Sequence, residues 1–596
     1  MNKIVGMVRP SQLITTFGPG AIVDLPDFSV IMGGINKWDH NTMLRYSSDI
    51  NEPRLKKKLR INKIKSIPLN GETNSIGTIP AYRFPEFHIC PTCRKLGNNR
   101  HFIEEDGVLF CQNPCKKIKT HPVRFLTSCE NGHIDDFPWG FYVHSKYKKE
   151  YDFKNCKLKL MDSGKSGSLT DLIVRCDTCD IERSFAEAYK NEKLLPKCKG
   201  SRPWLGSKNR SEDPCEKERK ILLRGASNLY FPVVESSIMI PVQSNSNPLE
   251  ELVREEIDFS DAELINDKDI FLFFAKRNKE LKIHNSEDLW AIVNRLKTSS
   301  DDDEDLLLPE WDAITSGQEY LNEQDFEVEK QPIPHRYEQL INKLIRVKRL
   351  KEVMVLKGFT RINPLPDATL RLSGEHDNHS SEKSMAPISD SKLDWLPGVE
   401  SFGEGIFLSL NEDELTKWED KNSKYATAVK QAHINLYRDR HVPEELIPPF
   451  PGIRYILLHT LSHALIRELC LHSGYSSSAL KERIYSDRDK GMAGILIYTA
   501  TVDSEGSLGG LVELGKNQHF ESILARALSA SLYCSGDPLC AEHDPEQLHD
   551  INGAACHSCL LISETSCEKS NRYLDRSILV KTVATHEREY FKDGRS

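Results

Sequence analysis

The stretches Cys90-Pro-Thr-Cys93 and Cys111-Gln-Asn-Pro-Cys115 decide how this chain is organised, because they place four thiols in two short turns. Twelve of the sixteen cysteines form three such groups of four. The groups are Cys90, Cys93, Cys111 and Cys115; Cys176, Cys179, Cys198 and Cys215; and Cys540, Cys556, Cys559 and Cys567. Four thiolates that converge from short turns suit tetrahedral zinc. A module closed around zinc also folds without a large apolar core. The sequence therefore predicts Zn²⁺ as cofactor, with these twelve cysteines as ligands.

Two ligand assignments stay open at this point. Cys129 and His133 lie close to the first group and could replace one of its pairs. Cys534 could stand in place of Cys540 in the third group. Cys156 and Cys470 have no obvious partners, and we expect them to be buried thiols. Sites made of four thiolates have no open coordination position, so we expect the zinc ions to be structural.

Length and composition are those of a multidomain cytoplasmic protein. At 596 residues the chain exceeds the roughly 250–300 residues at which single cores stop growing. The start of the chain lacks the apolar core of a secretory signal, and no apolar stretch approaches the ~20 residues of a membrane span. In the cytoplasm, paired cysteines indicate metal ligands more often than disulfides. The net charge of −8 argues against a uniformly basic surface but not against a local basic groove.

The predicted fold class is mixed α+β and multidomain, with several small zinc-stapled modules. The predicted regions are a strand-rich region at 1–88, a zinc-module region at 89–245, a helical insertion at 246–330, a mixed α/β region at 331–450 with a flexible loop at 373–392, and a C-terminal region at 451–596. Apolar residues at helical spacing predict helices at 335–353, 412–438 and about 453–471, and a run of apolar residues predicts a strand at 493–501.

Several motifs have a plainer interpretation than the catalytic one. His459 and His463 lie four apart on one helical face, but Thr460 stands where a zinc protease needs glutamate, so we expect core histidines. Gly164-Lys165-Ser166 resembles the end of a phosphate-binding loop, yet its first glycine is replaced by Lys159. Any ATP-driven work would then need a motor on another chain.

One basic run could contact nucleic acid. It contains Lys56, Lys57, Lys58 and Arg60, which we predict as candidate phosphate contacts. A solvated helix or strand face explains the same charges equally simply.

Seven stretches together resemble one family. They are 8–26, 122–140, 222–241, 356–364, 395–408, 455–468 and 553–576, and they include SCENGHIDDFPWG and GAACHSCLLISETSCEKSNRYLDR. The set resembles the DrmB family of the bacterial DISARM anti-phage defence system. The C-terminal part is similar to the zinc-binding domain of MrfA-type DNA-repair helicases.

The resemblance implies a subunit without catalytic activity of its own. It would associate with a helicase-like ATPase of the same system (DrmA type), bind DNA through that complex and restrict invading phage DNA. It also implies a zinc site that we map onto Cys540, Cys556, Cys559 and Cys567. Two alternatives remain: a metal-dependent nuclease with Asp135, Asp136 and His133 as ligands, and a solitary zinc-bearing DNA-binding repair protein. No membrane partner is expected.

Overall fold

A computed structural model describes most of the chain. It covers residues 4–592 apart from 28, 39–46, 68–77, 113, 149–150, 153–154, 163, 165–170, 207–214, 242–248, 250–251, 254–255, 258–265, 299–304, 317–324, 365–384, 440–441, 443, 445–446, 500–508 and 585–586. The fold is mixed α+β, as the sequence predicts.

Helices and strands alternate irregularly along the described residues. The helices are α1 Pro10–Thr15, α2 Pro53–Leu59, α3 Trp139–Ser145, α4 Phe185–Lys190, α5 Lys268–Arg277, α6 Ser286–Thr298, α7 Leu307–Ser316, α8 Glu412–Lys421, α9 Ser423–Asp439, α10 Gly452–Ser473, α11 Gly510–Leu514, α12 Asn517–Ser531 and α13 Pro545–Leu548. The strands before residue 200 are β1 Ile22–Asp24, β2 Ser29–Met32, β3 Asp49–Ile50, β4 Lys63–Ser66, β5 Ala81–Arg83, β6 His88–Ile89, β7 Lys95–Gly97, β8 Ile103–Glu105, β9 Val108–Cys111, β10 Ile118–Lys119, β11 His121–Pro122, β12 Phe125–Ser128, β13 Ile134–Asp136, β14 Leu158–Asp162, β15 Leu172–Cys176 and β16 Ile181–Ser184. The later strands are β17 Lys220–Leu223, β18 Phe231–Ile238, β19 Glu327–Gln331, β20 Ile341–Thr360, β21 Trp395–Leu410, β22 Leu480–Asp487 and β23 Met492–Thr499.

The largest sheet is organised around two long strands. β20 and β21 pair antiparallel from Ile341 opposite Leu410 to Val355 opposite Gly398. Along its other edge β20 pairs first with β19 and then with β18. β21 pairs with β4 through its first residues and with β23 through its last, and β22 follows β23. The two long strands therefore connect segments from the whole length of the chain.

The prediction of a helix at 335–353 is wrong, because residues 341–353 form the first part of β20. Its basic residues, which looked like the polar face of a helix, pair across the sheet with acidic residues of β19. Arg346 lies 2.9 Å from Glu329, and Lys348 lies 2.5 Å from the same carboxylate. β-branched residues at intervening positions favour a strand. Cross-strand ion pairs, not helical amphipathicity, thus explain the charge pattern.

The C-terminal helices agree better with the sequence. The helix predicted at 453–471 is confirmed as α10, and the predicted 412–438 helix is present but interrupted at Asn422 between α8 and α9. The strand predicted at 493–501 corresponds to β23, and positions 500–501 lie outside the described residues. α10 is buried along nearly its whole length, where it lies against β22 and β23 in the largest hydrophobic core.

Two predicted regions are only partly described. Within 246–330, α5 and α6 share a separate small core that includes Phe271 and Val293. Of the predicted loop at 373–392, positions 373–384 lie outside the described residues. Just after them, Ala386 is buried and forms a β-bridge with Phe359 of β20.

Three smaller sheets position most of the N-terminal cysteines, two of them on strands and the others mainly in turns next to the strands. Their strand orders are β10-β9-β8, β13-β12-β17 and β11-β6-β7-β14-β15-β16. The sheet formed by β13, β12 and β17 packs its Leu126, Ile134 and Leu222 into the same core as Leu356 and Phe359 of β20. The cysteine-bearing region is therefore packed directly against the central sheet.

A buried arginine strengthens that connection. Arg361, 1% exposed, donates hydrogen bonds to the carbonyls of Gly132 (3.0 Å), Gly20 (2.7 Å) and Leu229. Its guanidinium lies 4.7 Å from the ring centroid of Phe359. Burial lowers the pKa of Arg361 to about 9, so the side chain stays cationic at neutral pH. One side chain thus joins three segments that are far apart in sequence.

Replacing Arg361 with methionine should destabilise the protein by on the order of 3 kcal/mol, because three buried carbonyls lose their donor. The matched control is Arg438→Met, whose ion pair with Glu444 is exposed and should contribute less than about 1 kcal/mol. Urea unfolding followed by circular dichroism measures both. Equal midpoints for the two variants would contradict this role of Arg361.

Candidate metal centres

Every cysteine except Cys470 lies in one of five clusters of possible metal ligands. Within each cluster the ligand atoms are all within 4.8 Å of one another. Cluster I is Cys90, Cys93, Cys111 and Cys115; cluster II is Cys129, His133, Cys198 and Cys215; cluster III is His144, Cys156, Cys176 and Cys179; cluster IV is Cys534, Cys540, Cys556 and Cys559; and cluster V is His459, His463, Glu482 and Cys567. All sixteen cysteines are free thiols.

The spacing of the sulfur atoms fits zinc and not disulfides. Zinc–sulfur bonds of about 2.3 Å in a tetrahedron place neighbouring sulfurs about 3.8 Å apart, whereas a disulfide bond is about 2.05 Å long. The Sγ–Sγ distance is 3.7 Å in cluster I, between Cys90 and Cys115. It is 3.8 Å in cluster II (Cys129 to Cys215) and in cluster III (Cys156 to Cys179). The donor set and its dimensions therefore fit zinc.

Cluster I contains the four cysteines that the sequence groups first. Cys90 and Cys93 flank the turn between β6 and β7, which ends with Arg94 in the left-handed conformation (φ 62°). Cys111 is the last residue of β9, and Cys115 lies in the turn before β10. The amide of Arg94 donates to the carbonyl of Cys90 at 3.0 Å, which holds this turn closed. Two hairpins therefore bring their thiols to one point.

Cluster II combines a β-hairpin with two distant cysteines. Cys129 follows β12 and His133 precedes β13, so the tight turn between these strands presents both side chains on the same side. His133 Nδ1 lies 3.4 Å from Cys129 Sγ. Cys198 and Cys215 come from a later segment, in which the amide of Cys198 donates to the carbonyl of Lys217. All four side chains are buried.

Cluster III contains a histidine oriented by the backbone. His144, at the end of α3, donates from Nδ1 to the carbonyl of Gly140 at 2.7 Å. This bond leaves the Nε2 lone pair facing Cys156 Sγ, 3.4 Å away. A hydrogen bond of this kind is the usual way in which a protein fixes the tautomer of a metal-binding histidine. Cys176 ends β15, and Cys179 lies in the turn before β16.

The predicted second group is thus divided between two clusters. Cys176 and Cys179 belong to cluster III, whereas Cys198 and Cys215 belong to cluster II. The physical reason is that β15 and β16 lie in a different sheet from the hairpin that carries Cys129 and His133. Each cluster is completed by one histidine and one cysteine that the sequence did not assign to this group. Cys156, expected to be a lone buried thiol, is one of them.

Cluster IV also differs from the predicted third group. Cys534 and Cys540 both take part, and Cys567 does not. Cys534 Sγ lies 3.4 Å from Cys556 Sγ, and Cys540 Sγ lies 3.8 Å from Cys559 Sγ. The sequence left open whether Cys534 or Cys540 belongs to this group, and the structure places both thiols in cluster IV.

Backbone amides donate hydrogen bonds to sulfur atoms in these clusters. The amide of Gly200 donates to Cys198 Sγ at 3.4 Å, and the amide of Gly536 donates to Cys534 Sγ at 3.3 Å. A hydrogen bond from Cys129 lowers the pKa of the Cys198 thiol to about 4, which outweighs the opposing effect of burial. Burial raises the pKa of Cys556, but hydrogen bonds from Cys534 and from backbone amides lower it to about 7. Deprotonated sulfur is the form that binds metal.

The three residues of the nuclease alternative do not converge. His133 lies in cluster II, and Asp135 lies 3.5 Å from the guanidinium of Arg219. Asp136 accepts the amide hydrogens of Glu86 and Phe87 at 2.9 and 3.2 Å. Burial raises the pKa of Asp136 to about 7. These carboxylates have structural hydrogen-bonding partners.

The predicted basic strip lies mainly on α2. Lys56, Lys57 and Lys58 occupy its last turn, and Arg60 caps it in the left-handed conformation (φ 54°). Lys57 and Arg60 are exposed, whereas Lys58 lies 3.5 Å from the carboxylate of Glu235. The structure thus presents part of this strip to solvent. Lys165 and Ser166 of the incomplete phosphate-binding motif lie outside the described residues.

Across the ranges that the structure describes, none of the helices combines the length and apolar character needed to cross a lipid bilayer.

Comparisons with known proteins identify the family of the chain and one zinc-binding domain. Residues 9–231 match the model of a domain of unknown function (DUF8724), and residues 461–560 match that of the MrfA Zn-binding domain. The chain is 34% identical over 594 residues to the DISARM protein DrmB of Bacillus paralicheniformis, covering 96% of this chain and 100% of that protein. The chain belongs to the DrmB family. It is thus a relative of a DISARM defence component, and its zinc-binding domain contains all four residues of cluster IV.

Of the histidines in clusters II and III, the sequence raised His133 as a candidate ligand and gave no indication of His144. The spacing of Cys129 and His133 is visible in the sequence, but it suggests only a replacement within the first group. His144 has no local signal, because its nearest partner, Cys156, is twelve positions away. The available clue is Cys156 itself, a cysteine left over after the close pairs are assigned.

Replacing Cys156 with serine should lower the zinc content by about one ion per chain and destabilise the fold, because binding energy at such a site is folding energy. The matched control is Cys470→Ser, which removes the one cysteine outside the five clusters and should leave the zinc content unchanged. Mass-spectrometric metal analysis of both purified proteins measures this. A full zinc complement in the Cys156 variant would remove cluster III from the set of metal sites.

Proposed function

We propose that this DrmB-family protein is a non-catalytic, zinc-containing subunit that associates with a helicase-like ATPase of the DrmA type. Together they would bind DNA and restrict invading phage DNA in the cytoplasm. The observation that carries the proposal is the 34% identity to a DISARM protein over its entire length. Identity over the full length of that protein favours the same role for this chain, as a component of a DISARM system.

The metal clusters support a scaffold more than a catalyst. Clusters I to IV each offer four sulfur or imidazole ligands, which would fill the coordination sphere of a tetrahedral zinc ion. A catalytic zinc site keeps a position open for water or substrate. Zinc bound in these clusters would fix the relative positions of hairpins and loops. The surfaces that they hold would then be available to a partner and to DNA.

The zinc-binding domain offers an exposed apolar site for the ATPase. Leu539 lies in the turn between Cys534 and Cys540 and is 79% exposed, and neighbouring Tyr533 is 64% exposed. Exposed large apolar side chains are common at protein contact sites when they form a patch. This turn lies within residues 461–560, which match the MrfA Zn-binding domain. MrfA-type proteins are the DNA-repair helicases that the C-terminal part of the sequence resembles. We therefore place the ATPase contact at this turn.

The first test is co-expression with the helicase-like protein, followed by size-exclusion chromatography. We expect the two proteins to co-elute. Leu539→Asp should raise the dissociation constant of their complex at least tenfold while leaving the zinc content unchanged. Ile283→Asp is the matched control, since Ile283 is 72% exposed but lies outside the zinc-binding domain. Separate elution of the wild-type proteins, with tight DNA binding by this chain alone, would favour the solitary repair protein instead.

The basic strip provides a test of DNA contact by the complex. Replacing both Lys56 and Lys57 with glutamine should reduce the slope of log affinity against log salt concentration. The reduction should be about one for each phosphate contact that is lost. Lys417→Gln is the control, because Lys417 is 70% exposed but lies on α8, and it should leave the slope unchanged. Fluorescence anisotropy with a labelled duplex measures the slopes. An unchanged slope in the double variant would exclude this strip from the DNA path.

A further inference from the structure

Cluster V differs in composition and position from the other four. His459 and His463 lie one turn apart on α10, Glu482 lies on the facing strand β22, and Cys567 comes from the segment that follows cluster IV. All four side chains are buried. His459 Nε2 lies 3.0 Å from Glu482 Oε1 and 3.1 Å from Cys567 Sγ. His463 Nε2 lies 3.5 Å from the same carboxylate oxygen.

Both histidines are oriented by backbone carbonyls. His459 Nδ1 lies 3.2 Å from the carbonyl oxygen of Tyr573, and His463 Nδ1 lies 3.0 Å from that of Leu560. Since a carbonyl only accepts hydrogen bonds, each Nδ1 carries the proton. A neutral imidazole then has a lone pair on Nε2. Both lone pairs point toward the same small space between α10 and β22.

The other groups around that space are acceptors as well. Glu482 Oε2 and His463 Nε2 are buried without a hydrogen-bond partner. Cys567 Sγ accepts the amide hydrogens of Lys569 at 3.4 Å and Asn571 at 3.2 Å. Glu482 Oε1 accepts the amide hydrogen of Glu568 at 3.0 Å. Two imidazole lone pairs, a carboxylate and a sulfur thus face one another, and a shared proton or a bound metal cation is needed to satisfy such a buried set.

We propose that cluster V binds a structural zinc ion, a fifth metal site in the chain. Two imidazoles, one thiolate and one carboxylate complete a tetrahedron, and these ligand types suit zinc. Zinc would place the ligand atoms about 3.3–3.6 Å apart. The observed separations of 3.0, 3.1 and 3.5 Å require an outward shift of only a few tenths of an ångström.

Charge balance favours this site over a bare ion pair. The thiolate of Cys567 and the carboxylate of Glu482 together neutralise a divalent cation, so the loaded site has no net charge. A neutral unit can be buried in an apolar core with little desolvation penalty, whereas an isolated ionised carboxylate cannot. Leu457, Leu461 and Tyr573 belong to the core in which α10 lies. No coordination position would remain open, so the ion would hold α10, β22 and the 560–573 segment together.

The proposal is independent of the proposed role in DISARM, because it concerns metal content and not partners. It also reaches beyond the matched zinc-binding domain. That match spans residues 461–560, whereas His459 and Cys567 lie on either side of it. Failure of the ATPase or DNA experiments would therefore leave cluster V untouched, and the reverse also holds.

The test is an anomalous difference map of the full wild-type protein, recorded on either side of the zinc absorption edge. We expect a peak between α10 and β22, in addition to peaks at clusters I to IV. Peaks at clusters I to IV without one at cluster V would overturn the proposal and indicate a shared proton instead. A peak at cluster V that appears only across the iron or copper edge would overturn the assignment to zinc.

Metal analysis of Cys567→Ala provides a second measurement. The variant should lose about one zinc ion per chain relative to wild type, whereas Cys470→Ala, at the end of the same helix α10, should lose none. If the Cys567 variant does not fold, the wild-type map decides alone. A folded Cys567 variant with a full zinc complement would contradict the proposal.

Discussion

Hydrogen bonds between β20 and β21 hold strands of 20 and 16 residues side by side, and four hydrophobic cores are built on the faces of this pair. Leu344 and Leu408 lie in the core with α10, whereas Ile345 and Phe407, one position away on each strand, lie in the core with α7. Because side chains alternate between the two faces of a strand, a slip of one residue would move the side chains of each core to the opposite face of the sheet. All the helices and strands that pack on this pair therefore depend on its register.

The sequence is informative where structure is local, and less so where it is set by contacts between distant segments. α10 could be predicted because its apolar residues follow one another along a single helix. The first half of β20 could not, since its charges make sense only beside β19, and Glu329 precedes Arg346 by seventeen positions. The same limit applies to the metal clusters. Cys90 and Cys93 reveal their partnership by spacing, whereas clusters II and III depend on which sheet each hairpin joins.

The region with the N-terminal cysteine clusters and the central sheet are joined by more than apolar contact. Gly132, in the turn that carries Cys129 and His133, accepts a hydrogen bond from Arg361, which directly follows β20. The same guanidinium lies 5.4 Å from the ring centroid of Trp204 and 4.7 Å from that of Phe359, and these two rings contact each other. Displacing the cluster II hairpin from the sheet would break this buried hydrogen bond. The hairpin is thus tied to the central sheet by a polar contact in addition to its apolar packing.

Clusters II and III are nested along the chain. The thiols of Cys129 and Cys215 are 86 positions apart, and the whole of cluster III lies between them. Within cluster III, Cys156 and Cys179 are separated by only 23 positions. Joining two chain ends costs more entropy the longer the intervening loop is, so the inner ring closes at lower cost than the outer one. Once closed, it shortens the loop that remains. If both clusters bind zinc, connectivity alone would therefore favour closure of the inner cluster before the outer one.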